Sequence, residues 1–93
     1  MKKIAVIGAG TMGNGIAHVF AQSGFPVTLS DISKEALDKA IATINKNLDR
    51  QITKGKLSED KKALTVSNIT TETILEKAVK DCELVIEAAT ENE

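Results

Sequence analysis

Ninety-three residues, 42% of them apolar, fit one domain with a modest core and leave no room for a second. Twelve Lys and Arg against 13 Asp and Glu give a net charge of −1, which offers no field to draw nucleic acid or an anionic membrane. Two Phe and no Trp or Tyr leave little on which bases could stack. A single cysteine, Cys82, excludes an intrachain disulfide, and the sequence has no Cys/His cluster with zinc-ligand spacing, as suits a reducing compartment.

Lys2-Lys3 followed by Ile4-Ala5-Val6-Ile7 resembles the start of a secretory signal only superficially. The apolar run is short and broken by glycine, and no run approaches the roughly 18 residues of a membrane span. With Met1 only two residues ahead of the first strand, nothing is left over for a targeting peptide, and the expectation is a soluble, cytoplasmic protein. Ile4 to Ile7 is wholly apolar and ends at Gly8, as befits a strand buried on both faces of a parallel sheet. From Thr11 to Ser23 a helix is predicted, with Met12, Ile16, Val19 and Phe20 forming its apolar stripe and Gly24 its stop. His18 falls opposite that stripe and reads as a surface histidine. Pro26 then opens a second strand, Val27 to Asp31.

Ser33 is a candidate N-cap for a long second helix ending before Gly55. Its apolar face is Leu37, Ile41, Ile44, Leu48 and Ile52, and its polar face is rich in lysine. A short helix from Ser58 to Leu64 is expected to fold back on it as a helical hairpin. Thr65 to Thr70 reads as a half-exposed third strand and Thr73 to Val79 as a short helix with a Thr73-x-x-Glu76 capping box. Glu83 to Ala88 reads as a fourth strand of interior character. The order β-α-β-α-α-β-α-β predicts an α/β fold of the Rossmann type, a doubly wound parallel sheet with strand order 3-2-1-4. The outer edge of the fourth strand then lacks a partner, and the chain is expected to be the N-terminal part of a longer protein.

Gly8-Ala9-Gly10-Thr11-Met12-Gly13 is a G-x-G-x-x-G sequence. It follows a predicted strand, opens a predicted helix and lies 18 residues before Asp31, which ends the next strand. In that setting Gly8 permits a sharp turn, Gly10 permits main-chain N–H groups to approach a diphosphate, and Gly13 permits close packing of the helix on the sheet. A carboxylate at Asp31 can accept hydrogen bonds from both ribose hydroxyls of an adenosine. It would repel a 2′-phosphate by about 4 kcal/mol at 4 Å in a dielectric near 20, which favours NAD over NADP. The alternative for Asp31 is a turn or helix-cap carboxylate. Glu91, just past the fourth strand, lies on the side where open α/β sheets bind ligands, and a surface-loop carboxylate is its alternative. Cys82 has no activating neighbours in sequence.

The run Val6-Ile7-Gly8-Ala9-Gly10-Thr11-Met12-Gly13-Asn14-Gly15-Ile16-Ala17 resembles the N-terminal fingerprint of the 3-hydroxyacyl-CoA dehydrogenases. Asp31-Ile32, the segment from Ile44 to Lys56, and Leu84 to Ala89 followed by Glu91 agree with that family in order and spacing. The resemblance implies NAD-linked hydride transfer between 3-hydroxyacyl-CoA and 3-ketoacyl-CoA. It also implies an NAD site made by Gly8, Ala9, Gly10, Thr11, Met12 and Gly13 at the diphosphate, Asp31 and Ile32 at the adenosine, and Ala88 and Glu91 on the nicotinamide side. Asn47 and Lys54, seven residues apart, match positions that help bind CoA, although a lysine near a helix C-terminus is favoured in any case. The family's catalytic histidine and its orienting glutamate lie beyond the fourth strand, as does the helical domain that forms a homodimer. By this resemblance the chain carries no catalytic residue of its own. Two other functions share the same glycines: a stand-alone NAD-binding or redox-sensing module, and a dehydrogenase of a small hydroxy acid. The latter lacks the long lysine-bearing hairpin.

Overall fold

The computed structural model describes residues 2–88. Their elements, in chain order, are β1 (Ile4–Ile7), α1 (Thr11–Gln22), β2 (Val27–Ser30), α2 (Lys34–Thr53), α3 (Glu59–Ser67), β3 (Ile69–Glu72), α4 (Leu75–Val79) and β4 (Leu84–Glu87). The four strands form one parallel sheet in the order β3-β2-β1-β4, as expected for a Rossmann-type fold. Ile4 stands opposite Val27 on one side and Leu84 on the other, and Val27 stands opposite Ile69. Because β1 is central, both of its faces are covered, and Ile4, Ala5 and Val6 are buried. Right-handed crossovers put α1 and α2 on one face. The connection from β3 then returns past β2 and β1 to β4, which places α4 on the other face. That change in strand order makes the C-terminal ends of β1 and β4 the topological switch point of the sheet, the place where ligands enter open α/β sheets.

The first helix packs differently from its expected stripe. Its buried positions are Gly13, Asn14, Ala17 and Ala21, whereas Met12 is 59% and Val19 63% exposed. The reason is proximity: α1 is pressed against the sheet, α2 and α3, and only small side chains fit that seam. Ile16 and Phe20 flank the core from the side, with Phe20 edge-on to Phe25 at 5.8 Å. His18, expected at the surface, is instead half-buried, its Nε2 lying 2.8 Å from Gln22 Oε1, and Gln22 donates to Gln51 Oε1 of α2 at 2.9 Å.

The long second helix follows expectation. The Ser33 hydroxyl accepts from the Ala36 N–H at its start, and Leu37, Ala40, Ile44 and Leu48 are buried. The hairpin is present, bound by an ion pair from Lys62 Nζ to Asp49 Oδ1 at 2.6 Å, but its second arm is longer than expected. Thr65, Val66 and Ser67 continue α3 instead of starting β3. The Thr65 hydroxyl donates to the Lys61 carbonyl, satisfying itself within the helix. Asn68 ends the helix and donates its amide to the Ala21 carbonyl. The Thr73-x-x-Glu76 capping box does not form: α4 starts after Ile74 with no side-chain cap, and Glu72 accepts the Ile74 N–H. The strand expected at Glu83 to Ala88 spans Leu84–Glu87 and forms the sheet edge, with Leu84 and Val85 about half exposed.

Candidate functional site

The site is built where β1 turns into α1. Gly8 adopts a φ of 103°, a conformation that side-chain-bearing residues rarely take, and its N–H donates to the Ser30 carbonyl at 2.7 Å. The turn brings Gly13 so close to Gly8 that a Cβ at position 13 would overlap the Gly8 carbonyl, and the Ala88 side chain would lie 3.6 Å away. Gly10 is the N-cap residue. Its backbone is ordinary and extended, and a Cβ there would meet nothing within 4 Å. The first turn of α1 therefore opens onto free space.

The beginning of α1 also lacks what the other long helices possess. Ser33 caps α2 and Ser58 caps α3, each accepting a main-chain N–H, whereas Gly10 offers no side chain and the first turn of α1 holds no acidic residue. The leading N–H groups of α1 thus point outward without a side-chain partner, at the positive end of the helix dipole. An anion seated there would supply the missing acceptors.

Asp31 follows directly on β2. Its Oδ2 accepts from the Ala9 N–H and its Oδ1 from the Ser33 N–H, each at 2.9 Å. The carboxylate thus ties the glycine turn to the entrance of α2, a bracing role that sequence spacing did not disclose. The turn function weighed for Asp31 is present in the Ser33 contact. A carboxylate has about four lone-pair positions, so two remain for an incoming hydroxyl pair. Ile32, beside it, is 93% exposed.

A cleft of about 460 Å³ runs from the glycine turn along α2, lined by Gly10, Thr11 and Asn14 on one wall and Lys39, Thr43 and Asn47 on the other. Asn47 therefore joins the glycine turn in one depression. Lys54 does not: it is the exposed C-cap of α2, about 10 Å farther along the helix by its rise per residue. Ala88 is buried at the end of β4, its N–H donating to the Ile7 carbonyl at 2.7 Å. Glu91 lies outside the described residues. Ala9 is buried and Met12 exposed on either side of the turn. Asn14 was not singled out from the sequence. Its signal was there, as a polar residue on a helix face otherwise built of glycine and alanine. Among the described residues no group of three or more His, Cys, Asp or Glu could hold a metal ion, and no helix is long and apolar enough to cross a membrane.

Comparison with known proteins bears on this arrangement. Residues 3–93 match the family described as 3-hydroxyacyl-CoA dehydrogenase, NAD binding domain. The chain belongs to this family. A 3-hydroxybutyryl-CoA dehydrogenase from Bradyrhizobium diazoefficiens is 50% identical over 93 residues, which is all of this chain and 31% of that protein. The crystal structure of (S)-3-hydroxybutyryl-CoA dehydrogenase from Ralstonia eutropha superposes with a TM-score of 0.94 at 44% identity, covering 100% of this chain and 32% of that one. A 3-hydroxybutyryl-CoA dehydrogenase from Escherichia coli K12 gives 0.92 at 44% identity over 98% of this chain and 19% of its own. The chain thus spans about a third, or less, of the length of these relatives. What it shares with the 3-hydroxyacyl-CoA dehydrogenases is their NAD-binding domain, and the fold and the glycine turn described above fall within that match.

Proposed function

We propose that the chain binds NAD(H) and serves as the nucleotide-binding part of an enzyme interconverting 3-hydroxyacyl-CoA and 3-ketoacyl-CoA. The observation that carries this is the uncapped start of α1, open at Gly10 and braced to Asp31. A dinucleotide fits the residues present. Thr11, Met12 and Gly13 offer main-chain N–H groups for its diphosphate, Asp31 offers lone pairs for the adenosine ribose, and the exposed Ile32 offers an apolar rest for the adenine. The bound nicotinamide supplies the hydride acceptor or donor. The negative charge of Asp31 disfavours the 2′-phosphate of NADP and so sets the preference for NAD. Ala88 and Glu91 are assigned to the nicotinamide side, Asn47 and Lys54 to the CoA moiety, with Lys54 acting as a point charge toward a phosphate.

No described residue near the turn is placed to move a proton from the substrate alcohol. His18 sits two helical turns down α1 and is held by Gln22. We infer that the catalytic groups belong to the part of the enzyme homologous to the remaining two thirds of its relatives, and that this part also covers β4 and forms a homodimer. The half-exposed Leu84 and Val85 on that edge strand support this. Balanced charge and the short apolar runs favour a soluble cytoplasmic enzyme that engages neither nucleic acid nor membrane. Calorimetric titration tests the assignment: NADH is expected to bind the chain, NADPH at least tenfold more weakly, and acetoacetyl-CoA reduction to stay at background. No heat with NADH would overturn the dinucleotide assignment, and turnover by the chain would overturn the division of labour.

A further inference from the structure

One buried polar side chain has no role in the site as described so far. Asn14 lies one turn below the start of α1, is 9% exposed, and its amide has no hydrogen-bond partner among the described residues. It shares the α1 face with Gly13, Ala17 and Ala21, where an alanine would satisfy packing and leave no polar group unpaired. It also lines the cleft that Thr43 and Asn47 line from the α2 side, with Lys39 adding a cation. A side-chain amide that is buried yet unpartnered costs free energy in the free protein, unless something entering the cleft uses it.

We propose that Asn14 is a binding residue for the phosphopantetheine arm of the acyl-CoA substrate. The donor set decides between ligands. A phosphate takes only donors, whereas the amides of pantetheine each present one N–H and one carbonyl. Asn14, Thr43 and Asn47 are neutral groups that both donate and accept. The single cation, Lys39, suits the phosphate at the end of such an arm. The cleft begins at the glycine turn, so an arm lying in it would run beside the dinucleotide diphosphate. This assignment rests on the NAD and acyl-CoA function proposed above.

The test compares the wild-type chain with Asn14→Ala, which removes the amide and suits a seam of small side chains, and with Asn14→Leu, which keeps the branched shape without the polar atoms. Probes are NADH, CoA and adenosine 3′,5′-bisphosphate, titrated by calorimetry, with melting temperature recorded for each variant. The expected result is CoA affinity lowered about tenfold, the loss of one or two hydrogen bonds. NADH and the bisphosphate should bind within twofold of wild type, and the melting temperature should be equal or higher. Three outcomes would overturn the proposal: unchanged CoA affinity, an equal loss of NADH affinity, or a lowered melting temperature with all three ligands affected alike. Failure of the wild-type chain to bind NADH would instead overturn the underlying dinucleotide assignment, so the two failures are separable.

Discussion

Two glycines three residues apart in the turn should respond in opposite ways to the same methyl group. At Gly10 an added Cβ meets nothing within 4 Å and the backbone is already ordinary, so Gly10→Ala leaves the fold intact. Alanine is a poorer N-cap than glycine by several tenths of a kcal/mol, but it restricts the unfolded chain by about 0.4–1 kcal/mol, and the two effects nearly cancel. For a chain of this length about 1 kcal/mol corresponds to roughly 5 °C, so the melting temperature should move by less than about 3 °C. The methyl would nevertheless stand where a diphosphate must approach. Losing two charge-assisted N–H bonds, about 1.5 kcal/mol each at the least, should weaken NADH about 100-fold or more. At Gly13 the Cβ would overlap the Gly8 carbonyl, which is main chain and cannot swing aside. Gly13→Ala should therefore cost about 3 kcal/mol, the upper end of ordinary overpacking, and lower the melting temperature by about 15 °C. Scanning fluorimetry and calorimetry on both variants read these effects directly. Wild-type NADH affinity in Gly10→Ala would refute the seating of the diphosphate, and an unchanged melting temperature in Gly13→Ala would refute the close approach of α1 to the sheet.

Asp31→Ala should destabilise the chain by about 1–3 kcal/mol in urea titration, because the Ala9 and Ser33 N–H groups lose their acceptor; Asp31→Asn should cost less and narrow the preference for NADH over NADPH, measured by calorimetry. Leu48→Ala should cost about 2–5 kcal/mol by the same titration, since Leu48 is fully buried in α2. Ser33→Ala should cost about 1 kcal/mol through loss of the α2 cap, without changing NADH affinity beyond twofold. Lys62→Met should cost less than about 1 kcal/mol despite the short ion pair, because Asp49 is largely exposed, and added salt should shrink even that difference.

The sheet and its strand order were legible because β1 is a wholly apolar run ended by glycine and β2 an alternating one opened by proline and closed by aspartate, which leave few alternatives to parallel strands joined by helices. The glycine turn was legible for the same reason: strand, turn and helix each carried their own signal. The face of α1 was not, because hydrophobic periodicity assumes that large side chains point inward. A helix held this close to its sheet buries Gly13, Ala17 and Ala21 and leaves Met12 and Val19 outside. The start of β3 was misplaced because Thr65, Val66 and Thr70 have the β-branched character of a strand, while the Thr65 hydroxyl and the Asn68 amide stabilise a helix and its end. The sequence pointed to Asp31 without disclosing its hold on the Ala9 N–H, since that contact spans 22 residues and exists only once β1 and β2 are paired. Asn14 was overlooked for a related reason: a polar residue among Gly13, Ala17 and Ala21 stands out only once that face of α1 is known to be the buried one.

The central claim is that a dinucleotide lies across the start of α1 with its adenosine ribose on Asp31. A crystal structure of the chain with NAD bound tests this most directly. Diphosphate oxygens within about 3.2 Å of the Thr11 and Met12 N–H groups, with a ribose hydroxyl on the Asp31 carboxylate, are the predicted result. A diphosphate bound elsewhere, or an Asp31 carboxylate that leaves the ribose without a partner, would contradict it.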